Sequence, residues 1–344
     1  MLKNLGITLV SNLLLCSIAF SQADSAIVYH QKGLDEKQAR RFREAEKNFN
    51  KALGFAPQKS ETLIELGNVL VEQNRYMEAR EQFLKAEPLS ANNPVVIENL
   101  ATLSYNTRKW ADAIKYAQKA QQMNIGKSFQ FVIAKSYYEQ ENYGESLKYC
   151  ELAFKDEPRR AEIPYIAGRC FLEMSNYKRA AGCYEQAIER DSSKVNWMFE
   201  AGMVFYSIPD DKKAVEWFER AGAKGYPRNN EYLENLGNAY LNLKDYNKAM
   251  PLLQEALQRK PSDIELLYNV ADAYYRCGKY QEAIDTWDKI LVVDKKNADA
   301  LYMIGLAYQK KGDKEKGIQL CEKAIEMDPA LKEKKQEKKM PGGF

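Results

Sequence analysis

Apolar residues return three and four positions apart along nearly the whole chain, a spacing that predicts helices. Leu63, Leu66 and Leu70 make one apolar stripe, and Leu233, Leu236 and Tyr240 make another, with polar residues between them. Such a stripe turns one face of a helix toward a neighbour and leaves the opposite face to water. The stripes come in pairs, and the pairs recur about every 34 residues, in blocks beginning at Ala26, Ser60, Pro94, Lys127, Ala161, Val195, Asn230, Ile264 and Ala298. Block three is one residue short and block six one residue long, the extra residue falling in Gly225-Tyr226-Pro227. A local change in twist is expected there.

Small residues keep the register. The eighth position of the blocks reads Gly33, Gly67, Ala101, Ala134, Gly168, Gly202, Gly237, Ala271 and Gly305. The twentieth is Ala except for Ser146 and Gly317, and the twenty-seventh is Ala except for Ile290. Two helices need small side chains where their backbones approach most closely. Each block therefore reads as helix A, a short turn and helix B. Tyr76, Trp110, Tyr143, Tyr177, Tyr246 and Tyr280 stand near the A-to-B turn. Pro57, Pro158, Pro261 and Pro329 follow helix B, where a residue without an N–H cannot continue a helix. Pro251 falls inside a B helix and is expected to bend it. Lys32 and Glu36 of block one replace apolar residues, as suits a solvated end repeat.

On these residues the chain resembles the tetratricopeptide repeat (TPR) family. Its pattern is the small residue at position 8, Tyr or Phe at 11 (Tyr137, Phe171, Phe205, Tyr240, Tyr274, Tyr308), Ala at 20 and 27, an aromatic at 24 (Phe49, Phe83, Tyr184, Phe218, Trp287) and Pro at 32. The resemblance runs from Ala26 to about Leu331. It implies an all-α fold, a right-handed superhelical α-solenoid of nine TPR helix-turn-helix repeats, within a domain spanning 22–331.

The two ends differ in kind from the repeats. Lys3 is followed by an apolar stretch from Leu5 to Phe20, interrupted by Thr8, Ser11, Asn12 and Ser17, and then by Ala19-Phe20-Ser21. This reads as a signal peptide over 1–21, cut before Gln22 or, at a second site, before Asp24. The stretch is shorter than the ~20 apolar residues of a membrane span. Leu13-Leu14-Leu15-Cys16 faintly resembles a lipobox, with Leu15 where a small residue is expected, so a lipid-anchored form is the minor alternative. The mature chain, without a transmembrane segment, is expected in the periplasm or cell envelope. Residues 332–344 form a basic tail in which Lys alternates with Glu.

Cysteine use and charge narrow the function. Cys150, Cys170, Cys183, Cys277 and Cys321 are scattered and odd in number, unlike a disulfide framework, and are expected as buried thiols. Lys plus Arg total 51 and Asp plus Glu 48, and the excess sits in Lys3 and the tail. The repeats are neutral, which argues against a nucleic-acid partner and predicts that binding depends only weakly on salt. His30 is the one histidine, no phosphate-binding Gly-rich loop occurs, and the repeats leave no room for a catalytic domain. A non-enzyme with no cofactor and no metal is expected.

The resemblance also implies where a partner binds, since TPR proteins hold peptides in a concave groove lined by helix A positions 2, 5, 6, 9, 12 and 13. Position 5 gives Phe131, Tyr165, Phe199, Tyr268 and Tyr302, and position 12 gives Tyr105, Tyr138, Tyr206 and Tyr275. Such aromatics anchor binding hot spots, and about half are expected to be accessible. Asn68, Asn99, Asn235, Asn238 and Asn269 occupy positions 6 or 9, where a primary amide can both donate to and accept from a peptide backbone. A clamp for the acidic tails of chaperones is not expected, because Glu234, Asp299 and Met303 stand where the cations of that clamp belong. The chain reads as a non-catalytic scaffold binding a protein or extended peptide in the cell envelope. The alternative is a binding protein for envelope polysaccharide or peptidoglycan, since aromatic stripes also stack on sugars.

Overall fold

The computed structural model describes residues 24–125 and 128–332. The expected signal peptide and its cleavage sites lie outside the described residues, as does the tail beyond Lys332. Eighteen α-helices run through the described residues, with one 3₁₀ turn at Glu87–Leu89 and no strand.

They fall into two compact units, divided between Met174 and Ser175. In the first unit α1 (24–38), α3 (Ser60–Glu72), α5 (Pro94–Asn106), α7 (Gln130–Glu139) and α9 (Glu162–Glu173) are the A helices. Its B helices are α2 (Phe42–Phe55), α4 (Tyr76–Ala86), α6 (Trp110–Gln122) and α8 (Tyr143–Asp156). In the second unit the B helices are α10 (Tyr177–Arg190), α12 (Asp211–Ala223), α14 (Tyr246–Arg259), α16 (Tyr280–Val293) and α18 (Lys314–Met327). Its A helices are α11 (Val195–Ser207), α13 (Asn230–Asn242), α15 (Ile264–Arg276) and α17 (Ala298–Lys311).

Packing is between neighbours along the chain, as in a solenoid: α3 on α4, α4 on α5, α5 on α6, and so on within each unit. Successive A helices also touch, α5 with α7, α7 with α9, α11 with α13 and α13 with α15, whereas no pair of B helices packs as closely. Within each unit the A side is therefore the tighter, inner side.

The helix crossings explain the register. A Cβ added at Gly67 would lie 2.7 Å from the ring of Phe83, and one at Gly202 would lie 2.5 Å from Phe218. At Gly33 the ring is that of Phe49, also at 2.5 Å. At these three crossings position 8 must be empty because the ring at position 24 of the same repeat fills it. In repeats three and four position 24 is small, Ala117 and Cys150, and position 8 carries a methyl group, Ala101 and Ala134. Ser146, the hydroxyl among the alanines of position 20, donates to the carbonyl of Ala134 at 2.8 Å, so it is buried without an unmet hydrogen bond.

The turns carry a feature that the sequence pattern does not announce. The residue closing helix A is left-handed at Arg40, Asn74, Arg108, Glu141, Ser175, Lys244, Gly278 and Gly312, with φ between 56° and 114°. Asn74 shows why: its N–H bonds the carbonyl of Val71, and the next N–H, of Arg75, reaches back to Leu70, closing the helix end. Tyr76, Trp110, Tyr143, Tyr177, Tyr246 and Tyr280 are each the first residue of a B helix. Pro57, Pro158, Pro261 and Pro329 each sit two residues beyond one. Helix α14 continues through Pro251, which faces solvent.

Candidate functional site

On the inner side of the first unit, the guanidinium of Arg160 lies over the ring of Phe131 at 3.7 Å, and Phe131 keeps only 5% exposure. Tyr138 lies between two cations, Lys135 at 4.7 Å and Arg169 at 5.7 Å from its ring. Arg169 also donates to the hydroxyl of Tyr165 at 3.3 Å. Tyr105 is half-buried and meets Trp110 edge-on. Burial pushes the phenols of Tyr105 and Tyr138 above their ordinary pKa. Asn99 donates to the carbonyl of Val95 one turn back, at 2.8 Å. Asn68 is half-buried and makes no side-chain hydrogen bond among the described residues.

In the second unit Phe199 stacks on Tyr226, centroids 4.3 Å apart and planes within 11°, with Phe218 and Tyr232 completing its surround. Tyr268 donates its hydroxyl to Oδ1 of Asn297 at 2.5 Å, and the same oxygen caps α17 by accepting from the Ala300 N–H. Burial, with Asp299 adding, pushes the Tyr268 phenol up to about 12. Tyr275 packs against Tyr280 and the fully buried Trp287. Tyr206 is half-buried on α11. Asn235 donates to the carbonyl of Glu231 on its own helix at 2.8 Å. Asn238 on α13 and Asn269 on α15 are half-buried, and neither makes a side-chain hydrogen bond among the described residues.

Three expected groove residues are thereby corrected. Phe131, Phe199 and Tyr302 are core residues, at 5%, 4% and 6% exposure. Each is covered from outside its own helix: Arg160 lies over Phe131 and the inserted Tyr226 over Phe199, while Tyr302 packs in a cluster with Cys321 and Leu331. The other six aromatics are half-buried and none of the nine is exposed. Tyr268 serves at least partly to tie α15 to the turn before α17.

Charged residues share this inner side with the aromatics and amides. They are Lys135 and Arg169 in the first unit, and Glu200, Glu234 and Asp272 in the second, at positions 5, 6 and 9. Their position numbers alone contain this signal. Cys150, Cys170 and Cys321 are buried, and Cys183 and Cys277 are half-buried. Burial raises the pKa of Cys170, whose Sγ donates to Ser146 Oγ at 3.2 Å, so it is an unreactive thiol. Among the described residues no cluster of three or more His, Cys, Asp or Glu is placed to hold a metal ion, and no helix is long and apolar enough to cross a membrane.

Tetratricopeptide repeat family models match residues 30–94, 165–225 and 298–331, and a TPR repeat model matches 271–312. Together these span more than half of the chain. The model for anaphase-promoting complex, cyclosome, subunit 3 matches 210–290. TPR repeat-containing protein PA4667 of Pseudomonas aeruginosa is 31% identical over 100 residues, 29% of this chain, and the match spans only 17% of that protein. Among solved structures, YrrB, a TPR protein with an unusual peptide-binding site, is 27% identical with a TM-score of 0.46, covering 54% of this chain and 97% of that one. MamA from Desulfovibrio magneticus RS-1, residues 41 to the end, is 17% identical with a TM-score of 0.46, covering 50% of this chain and 96% of that one. The chain belongs to the tetratricopeptide repeat family.

Proposed function

We propose that this tetratricopeptide repeat protein is a non-catalytic scaffold that binds an extended segment of a partner polypeptide along its A helices. The family fold supports an interaction scaffold in general terms. One observation carries the finer reading: Asn238 and Asn269, on adjacent A helices of the second unit, hold amides with no hydrogen bond among the described residues. A primary amide in that state can accept from one peptide N–H and donate to one C=O, and adjacent helices offer that pair twice. Half-buried Tyr206 and Tyr275 on the same side add apolar area.

The polysaccharide reading draws less support. Stacking on a sugar ring uses an open aromatic face, and none of the nine groove aromatics is exposed. Envelope localisation rests on the sequence of residues 1–21; N-terminal sequencing of protein from fractionated host cells tests it, with Gln22 or Asp24 expected first.

The binding test compares the full chain with Asn238→Ala/Asn269→Ala, each immobilised and exposed to host envelope extract under cross-linking. Polypeptides held by the full chain and lost by the variant, both proteins giving the same helical circular dichroism, support the reading. Equal retention by both would move the site off these helices, and a glycan lost by the variant would favour the polysaccharide alternative.

A further inference from the structure

Neutrality of the repeats as a whole conceals a separation of charge. Helix A positions 2, 5, 6, 9, 12 and 13 carry thirteen Asp or Glu against five Lys or Arg over the nine repeats, and six against two in α11, α13, α15 and α17. In the second unit Asp272 is paired with Arg276 at 2.6 Å, and Glu200 accepts from the hydroxyl of Tyr184 at 2.6 Å. Glu231, Glu234 and Glu265 have no ion pair among the described residues.

Glu234 is the telling one. It is half-buried, one helical turn before Asn238 on the same side of α13. The charges acting on it are those of Asp263, Glu265 and Glu231, against the single cation of Lys260. Its carboxyl is held above its ordinary pKa, by burial first and then by these acids. A partly desolvated carboxylate among like charges is a position that an incoming cation improves. Beside it stand the unengaged amides of Asn238 and Asn269. Carboxylates that lack cations and amides that lack partners thus share one face, and a single ligand meets both needs if it carries positive charge on a peptide backbone.

We infer that the A face of α13 and α15 takes an extended, Lys- or Arg-bearing segment of a partner polypeptide, its cations against Glu231, Glu234 and Glu265 and its main chain against Asn238 and Asn269. This rests on the peptide-binding reading above and adds the partner's charge. A nucleic acid is repelled by the same carboxylates. The weak salt dependence expected from overall neutrality gives way to a marked one, because charges on one face act on a ligand before the sum over the molecule does.

The test uses random peptides displayed on phage, selected against the full-length chain at low salt and then measured as synthetic peptides. Enriched sequences are expected to be rich in Lys or Arg. Their binding should weaken about tenfold in Glu231→Gln/Glu234→Gln/Glu265→Gln and by a similar factor at high salt. Should the triple variant fail to fold, Glu234→Gln alone and peptides with Lys replaced by Glu make the same measurement.

Neutral or acidic peptides that lose binding in Asn238→Ala/Asn269→Ala but not in the Glu variants would overturn the inference and keep the groove. Peptides indifferent to both sets, or no enrichment at all, would overturn both. Basic peptides that bind only after deletion of 333–344 would show that the Lys-rich end of this chain is the occupant, which also overturns the proposal of a partner.

Discussion

On the inner side of the first unit several carboxylates have cations beside them. Glu65 has Lys37 at 2.5 Å, Glu139 has Lys135 at 2.5 Å, Glu162 has Arg160 at 3.7 Å and Glu173 has Arg169 at 3.9 Å. On the inner side of the second unit Glu231, Glu234 and Glu265 have none among the described residues. The two units share one kind of crossing, a glycine facing a phenylalanine ring, Gly67 with Phe83 in the first and Gly202 with Phe218 in the second. Folding constrains positions 8, 20, 24 and 27, and position 5 in some repeats, and leaves positions 2, 6 and 9 to vary. Exposed ion pairs contribute only ~0.2–1 kcal/mol, so the pairs of the first unit matter less for stability than for occupying those carboxylates. The difference between the units lies in what each can attract.

The largest expected effect tests whether the cores are in fact alike. Gly67→Leu in the first unit and Gly202→Leu in the second each force a side chain into the ring of the facing Phe. Each should lower stability by about 3 kcal/mol, the upper end of overpacking costs. Equilibrium urea unfolding of the two variants measures it. A large loss at one site and almost none at the other would mean that the crossings differ after all.

Next in size are the amides. Asn238→Ala and Asn269→Ala should each weaken binding of a polypeptide partner by about 1 kcal/mol. Asn235→Ala, and Asn99→Ala in the first unit, should change affinity little, because those amides already bond to a carbonyl of their own helix. Titration calorimetry on the four variants separates the pairs. Asn68 sharpens the comparison: its amide is also unengaged among the described residues, so an effect of Asn68→Ala would extend the binding face into the first unit.

Position 15 shows how much of this was legible in the sequence. Helices, pairing and register follow from the spacing of residues such as Leu63, Leu66 and Leu70, since a period of 3.6 has one structural meaning. The left-handed turn does not, because Arg108, Glu141 and Lys244 fill it as readily as Gly278 and Gly312. Gly312→Ala should therefore cost about 1 kcal/mol, while Lys244→Gly should gain at most a few tenths, the relief of backbone strain being offset by the entropy of glycine. Paired thermal melts give the signs. Burial of Phe199 was hidden for another reason: its cover, Tyr226, comes from a connection one repeat element away. Likewise Lys37 and Glu65 stand 28 residues apart, so their pairing exists only once the repeats are stacked.

The smallest effect bears most directly on the contrast between the two faces. Glu234 binds its proton more tightly in the folded protein than in the unfolded chain, because burial and the neighbouring acids disfavour its charge. Its ionised form therefore works against folding. That penalty is present at neutral pH and disappears as pH falls below the ordinary value of 4.5, where the carboxyl is protonated in both states. Glu234→Gln should stabilise the protein at neutral pH, by no more than about 0.5 kcal/mol at so accessible a site. In acid it should match the parent chain. Glu65→Gln in the first unit removes the partner of Lys37 and should shift stability by a similar amount in the opposite direction. Melting curves of both variants, recorded at neutral pH and again below 4.5, read out the two signs. If Glu234→Gln destabilised the protein at neutral pH, its carboxylate would have a stabilising partner, and the second unit's face would not be short of cations.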